Sequence, residues 1–271
     1  MKISPTLTEV KEIAKTGKYD ILPVSCEILS DFITPIEAMR ILQNVSTHCY
    51  LLESAQANEA WGRYTFLGYD PKLEINCIDG HMKLGKLSVE TENPSEYIRQ
   101  ILSEYKSPKF DYLPSFTGGL VGYFSYDYLG YKEKSIRGKA RDTEDFKDVD
   151  LMLFDKVIAF DNLCQKIILI ANMSLDAPET GYNKAIVELK QLRELLMHGE
   201  KKQNMGGKLL GDVTPLFDKE QYCEMVEKAK RHIKGGDIFQ LVLSYRLSAP
   251  FAGILFDTYR VLRTINPSPY M

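Results

Sequence analysis

The chain has 271 residues, 44% of them hydrophobic and 26% charged, with a formal net charge of −3. That is the balance of a soluble globular protein large enough to bury a core without metals or disulfides. No basic excess points to nucleic acid, and no stretch reaches the roughly 18 uncharged apolar residues needed to span a bilayer.

The opening MKISPTLTEVKEIAKTG is charged and amphipathic and lacks the apolar segment of a secretion signal. Thr34-Pro35-Ile36-Glu37 combines a capping Thr, a Pro at the first helical position and a Glu three residues after the cap, so a helix starts there. His48-Cys49-Tyr50-Leu51-Leu52-Glu53-Ser54 reads as a strand ending in two polar residues. Glu53 could meet a ligand ammonium and Ser54 could donate or accept a hydrogen bond, but the residues alone favour an exposed strand end. LEINCID, Gly80 and MKL spell a hairpin turning at Asp79-Gly80. Asn93-Pro94-Ser95-Glu96 opens a helix whose Tyr97, Ile98, Ile101 and Leu102 share a face.

Gly118-Gly119-Leu120-Val121-Gly122 has neither phosphate-loop spacing nor a capped helix after it. It predicts close backbone packing beneath Tyr123, Phe124, Tyr126 and Tyr128 instead. KVIAFD and KIILIA, joined across Asp161–Gln165, predict a second hairpin buried on both faces. HGEKKQNMGGKLLG (198–211) is polar and glycine-rich, which places a linker there and domains at 1–205 and 206–271. Asp218 and Gln221 open a further helix carrying Tyr222, Met225, Val226, Ala229 and Ile233, and Gly235-Gly236 ends it. DIFQLVLSYRL (237–247) predicts a strand with Ile238, Gln240, Val242, Ser244 and Arg246 on one face. That face is either solvated, which the residues favour, or lines a polar cavity where Arg246 would suit a carboxylate. Asn266-Pro267-Ser268-Pro269 halts the helix before it.

Cys26, Cys49, Cys77, Cys164 and Cys223 are odd in number and scattered, which fits reduced thiols in the cytoplasm. His48, His81, His198 and His232 do not group at ligand spacing, so no zinc site is expected. Periodicity alone thus gives a mixed α/β protein, with antiparallel or mixed sheets and surrounding helices, and no catalytic set.

Taken in order, these segments resemble the anthranilate synthase component I family. The resemblance runs through LTEVKEIAKTGKYDILPVSCEI, LLES (51–54), WGRYTFLGYDP (61–71), GGLVGYFSYDY (118–128), DLMLFDKVIAFDN (150–162), IILIAN (167–172), GDIFQLVLSYRL (236–247) and INPSPYM (265–271). It implies a lyase converting chorismate and glutamine-derived ammonia to anthranilate and pyruvate, the first step of tryptophan biosynthesis. The implied partners are chorismate, a glutamine amidotransferase subunit and L-tryptophan as inhibitor, with neither nucleic acid nor membrane. It further implies a tryptophan site of Leu52, Glu53 and Ser54 with Pro269, Tyr270 and Met271. Gln240 falls where water-adding relatives carry a basic lysine. A neutral amide there implies amine chemistry at the substrate site. A lysine that some members carry after LLES has no clear counterpart here; the local basic residue is Arg63. The family's Mg2+ ligands, catalytic histidine and chorismate-carboxylate residues lie beyond its NPSPYM motif. The resemblance therefore implies a fragment with no metal site, inactive by itself. The alternatives are an aminodeoxychorismate synthase large subunit and a non-catalytic tryptophan- or partner-binding module.

Overall fold

The computed structural model describes residues 2–53, 62–136, 144–203, 206–268 and 270–271. They form two compact units, Met1–Gln203 with Pro267–Met271 and, separately, Asn204–Asn266.

In chain order the first unit contains β1 (Ile3–Ser4), α1 (Leu7–Lys15), β2 (Ile21–Leu29), α2 (Pro35–Val45), β3 (Cys49–Glu53), β4 (Tyr64–Tyr69) and β5 (Leu73–Ile78). Next come β6 (His81–Leu84), β7 (Leu87–Glu90), α3 (Pro94–Ser103), β8 (Gly119–Phe124) and a 3₁₀ segment, Tyr126–Tyr131. The unit is completed by β9 (Val149–Phe154), β10 (Lys156–Asp161), β11 (Lys166–Ser174) and α4 (Pro178–His198).

The expected α2 cap forms, with the Glu37 N–H donating to Thr34 Oγ1 at 3.3 Å. At α3 the cap differs. Asn93 makes no side-chain bond to the helix backbone; its Oδ1 accepts from Ser95 Oγ at 2.7 Å instead. The Asp79-Gly80 turn sits at φ 49° and 84°, the left-handed pair that matches a two-residue hairpin to strand twist.

Every strand pair among the described residues is antiparallel. One sheet runs β1-β2-β11-β10-β4-β3 and the other β7-β6-β5-β9-β8. Asp155 alone separates β9 from β10, so the chain passes from one sheet to the other within a single residue. The two apolar hairpin strands are buried on both sides. Val157, Ala159, Ile168 and Ile170 join Tyr50, Phe66, Leu113 and Phe154 in one cluster. Ile158, Ile167 and Leu169 alternate with them and are equally buried, while α4 packs on β11 and β2, and α2 on β3 and β4. The second sheet packs Ile75, Cys77, Met82, Val149 and Leu151 against Ile98 of α3. The 3₁₀ segment is tied to it through Tyr131, whose hydroxyl donates to Asp148 Oδ2 and accepts from the Gly80 N–H, both at 2.7 Å.

The glycine-rich 118–122 stretch is backbone-packed as expected, but not against the aromatics that follow it. A Cβ at Gly122 would lie 1.9 Å from the Asp150 carbonyl oxygen, and one at Gly118 would lie 2.6 Å from Asn172 Nδ2. Tyr126 stands 87% exposed.

Tyr50 is 8% exposed, its ring lies flat across Gly68, and its hydroxyl has no hydrogen-bond partner among the described residues. Burial pushes the phenol far above its ordinary pKa. Removing an unsatisfied buried hydroxyl costs nothing in lost bonds, so Tyr50→Phe should leave stability unchanged or raise it by up to about 1 kcal/mol. Urea unfolding checks this, and a clear loss of stability would mean that the hydroxyl is bonded after all.

The second unit holds β12 (Gly207–Leu209), β13 (Thr214–Pro215), α5 (Lys219–Gly235), β14 (Leu247–Ser248), β15 (Phe251–Gly253) and α6 (Phe256–Ile265). α5 has the full reciprocal cap: the Gln221 N–H donates to Asp218 Oδ1 at 2.8 Å and the Asp218 N–H to Gln221 Oε1 at 3.0 Å. It stops at Gly236, φ 81°. The strand expected over 237–247 does not form. Among the described residues its end alone is laddered: Leu247–Ser248 pairs with Thr214–Pro215, and the Leu216 N–H donates to the Arg246 carbonyl at 2.9 Å. Phe239 and Val242 are 94% and 82% exposed. An alternating pattern makes a strand only where a neighbouring backbone accepts its hydrogen bonds and one face is buried, and neither condition holds over 238–245.

Candidate functional site

β3 is the edge strand of the six-stranded sheet, so one row of its backbone groups faces away from β4. The chain's last residue meets that row. The Glu53 N–H donates to the Met271 carbonyl at 3.1 Å and the Met271 N–H to the Glu53 carbonyl at 2.9 Å. This reciprocal exchange is one rung of an antiparallel ladder. Tyr270 turns the chain into it at φ 54°, an uncommon conformation for a residue with a side chain.

Strand alternation decides what the rung places together. Register pairs Tyr50 with Gly68 and Leu52 with Phe66, so Leu52 and Phe66 share a face, while Glu53 pairs with Thr65 on the other. The Tyr270 ring lies over Phe66, with centroids 6.2 Å apart and planes 27° from parallel. Tyr64 stacks on Phe66 at 5.8 Å and 29°. Phe116 meets Phe66 edge-on at 5.6 Å. The result is an aromatic cluster beside Leu52, with the Glu53 side chain on the opposite face of β3.

Arg63 secures the end of that cluster. Its guanidinium lies 4.8 Å from the Tyr64 ring centroid and forks onto Asp161, with Nε to Oδ1 at 3.1 Å and Nη2 to Oδ2 at 2.7 Å. Asp161 is 4% exposed and also accepts from the Leu163 and Cys164 N–H groups. Burial acts to raise its pKa. Arg63 and the Cys164 N–H outweigh it, leaving the carboxyl below the ordinary aspartate value of 3.8. A lowered folded-state pKa means the stabilisation is present above the unfolded value and disappears as pH falls through the folded one. Asp161→Asn should therefore cost about 2 kcal/mol at pH 7, below the usual figure for a fully buried pair because Arg63 is 38% exposed. Urea midpoints of the two proteins should converge towards pH 3 or below. An equal gap at every pH would contradict this.

Of the residues expected to form a site, Leu52, Glu53, Tyr270 and Met271 come together. Ser54 and Pro269 lie outside the described residues. Gln240 is exposed on the irregular 238–245 stretch of the second unit. Sequence reasoning missed Phe66, Tyr64 and Asp161. Two signals were available. Tyr64 and Phe66 alternate in WGRYTFLGYDP on what becomes the Leu52 face, and Asp161 closes the otherwise apolar run VIAF. Arg63, left without a role, is committed to Asp161.

Chemically, the place offers an apolar aromatic surface, backbone hydrogen-bonding groups already paired, and, on the opposite face of the strand, a carboxylate. That suits a flat ring bearing a positive group. Among its described residues no nucleophile and base stand at hydrogen-bond distance. Among the described residues no three His, Cys, Asp or Glu side chains converge to hold a metal ion, and no helix is long and apolar enough to cross a membrane.

A family model described as chorismate binding enzyme matches residues 47–271. Anthranilate synthase component 1 of Acetivibrio thermocellus is 35% identical over 285 aligned positions, covering 98% of this chain and 56% of that protein. The Pseudomonas aeruginosa protein of the same name is 34% identical, covering 97% and 55%. The crystal structure of anthranilate synthase component I from Streptococcus pneumoniae superposes with a TM-score of 0.62 at 28% identity, covering 90% of this chain and 53% of that one. The chain thus spans about half the length of the relatives it matches.

Proposed function

The chain belongs to the chorismate-binding enzyme family, and from that premise we propose that it is part of an anthranilate synthase large subunit whose β3 edge receives L-tryptophan as feedback inhibitor. The observation that carries the regulatory part is the Glu53–Met271 rung, which unites LLES with the INPSPYM segment under one aromatic layer. An indole would lie against Leu52 and the rings, with its amino group carried past the strand edge towards Glu53, whose side chain stands on the opposite face. The names of the relatives support the activity: chorismate and ammonia to anthranilate, pyruvate and water, a lyase reaction in tryptophan biosynthesis.

Ammonia would come from a glutamine amidotransferase partner. Gln240 supports amination over hydration, because an uncharged amide has no basic group with which to activate water. Magnesium is expected to bind the chorismate carboxylate in the whole protein. The described residues offer no converging oxygen ligands for it, so no step here is assigned to it. Five free cysteines, two of them buried, support a reducing cytoplasmic setting.

The test is the complete enzyme with chorismate, ammonium and magnesium. Anthranilate should form, and L-tryptophan should inhibit it far better than indole-3-propionate, which lacks the ammonium. Aminodeoxychorismate as product, or indifference to L-tryptophan, would overturn the reading.

A further inference from the structure

A cleft of about 460 Å3 opens between α1 and the stretch after α3, and none of the residues of the β3 edge lines it. Its size is that of a small-molecule site. α1 provides one wall, where Glu9, Glu12 and Ile13 stand at i, i+3 and i+4 and so share a helical face. Phe110 and Tyr112 provide another, their rings stacked at 5.2 Å and 24°. Pro5 is the buried part of the lining, its carbonyl held by the Tyr182 hydroxyl at 3.0 Å.

The charge in this cleft is one-sided. Among the described residues no Lys, Arg or His lines it. The Glu9 carboxylate is fixed by the backbone N–H and hydroxyl of Thr6, both at 2.7 Å, and these bonds hold its pKa below the usual glutamate value, so it stays ionised. Glu12 has neither an ion pair nor a hydrogen bond among the described residues. Burial, with the Glu9 charge, pushes the Tyr112 phenol up to about 12, which keeps its ring neutral and electron-rich. Two carboxylates beside stacked aromatic faces attract a cation and repel an anion of the same shape.

We propose that this cleft binds a small organic monocation, a primary amine carried on a flat apolar body. Tyr112 and Phe110 take the body, and Glu12, with Glu9 behind it, takes the ammonium. Nothing in this depends on the tryptophan reading, whose residues lie elsewhere.

The experiment is a backbone-amide NMR titration of the chain with phenethylamine and, separately, with 3-phenylpropionate, its near-isosteric anion. Phenethylamine should give saturable shifts centred on Ile13, Phe110 and Tyr112, and the anion should give none there. Glu12→Gln should weaken the amine about fivefold, the effect of one exposed charge contact. Glu12 is exposed, so the variant should fold. Glu9→Gln, which keeps a residue able to complete the cap, provides a second reading in the same direction. Absence of saturable shifts, equal response to amine and anion, or unchanged affinity in both variants would each overturn the proposal.

Discussion

Gly122→Ala should destabilise the first unit by about 4 kcal/mol, among the largest effects a single methyl group can have. Gly122 sits at φ 151°, and an added Cβ would lie 1.9 Å from the Asp150 carbonyl oxygen and 2.9 Å from Leu151 Cα. These atoms belong to β9, paired with β8 in the register Gly122↔Leu151. No flexible side-chain end can move aside, so relief requires β8 to part from β9. Gly17→Ala is the internal control. Gly17 has φ 61° and nothing within 4 Å of an added Cβ, so only the left-handed backbone penalty applies, about 1–2 kcal/mol. Urea unfolding should separate the two variants clearly. Equal losses would mean that steric contact at the β8–β9 ladder is not what demands the glycine.

Ser54→Phe, in the complete enzyme, should raise the concentration of L-tryptophan needed for half-inhibition by about ten- to hundredfold. Ser54 directly follows β3 in the sequence, and the proposed function would make its hydroxyl a tryptophan ligand. Losing that bond and crowding the ligand with a ring would cost about 1–3 kcal/mol, which sets the fold-change. Anthranilate formation should be largely retained, because inhibition biases an equilibrium between states and contributes nothing to the chemical step. Glu53→Gln should move the curve in the same direction by removing the ammonium's partner. An unmoved dose–response curve for Ser54→Phe would place the inhibitor elsewhere.

Much of the fold was legible because local signals and tertiary packing agree. Thr34 and Asp218 cap where their spacing says, Asp79-Gly80 turns the hairpin, and the unbroken apolar runs of KVIAFD and KIILIA are buried on both faces. Failures came where a local pattern lacked its tertiary partner. DIFQLVLSYRL alternates as a strand does, yet no strand among the described residues runs alongside 238–245. Asn93 looks like a cap but bonds Ser95 and Glu96 instead.

The site divides in the same way. LLES and INPSPYM were readable as segments by resemblance. Their meeting through a single rung, and the Tyr64–Phe66–Tyr270 layer, follow from register between distant strands, which no short motif encodes. The partner of Asp161 was hidden for a related reason. An acidic residue at a strand end usually faces water, and only the pairing of β10 with β4 brings Arg63 to it.

The central claim is that the β3 edge and the 270–271 segment form one tryptophan-binding place. A backbone-amide NMR titration of the chain with L-tryptophan tests it most directly. The account predicts saturable shifts concentrated at Leu52, Glu53, Phe66, Tyr270 and Met271. Saturation that leaves these five amides unmoved, or no saturable response at all, would contradict it.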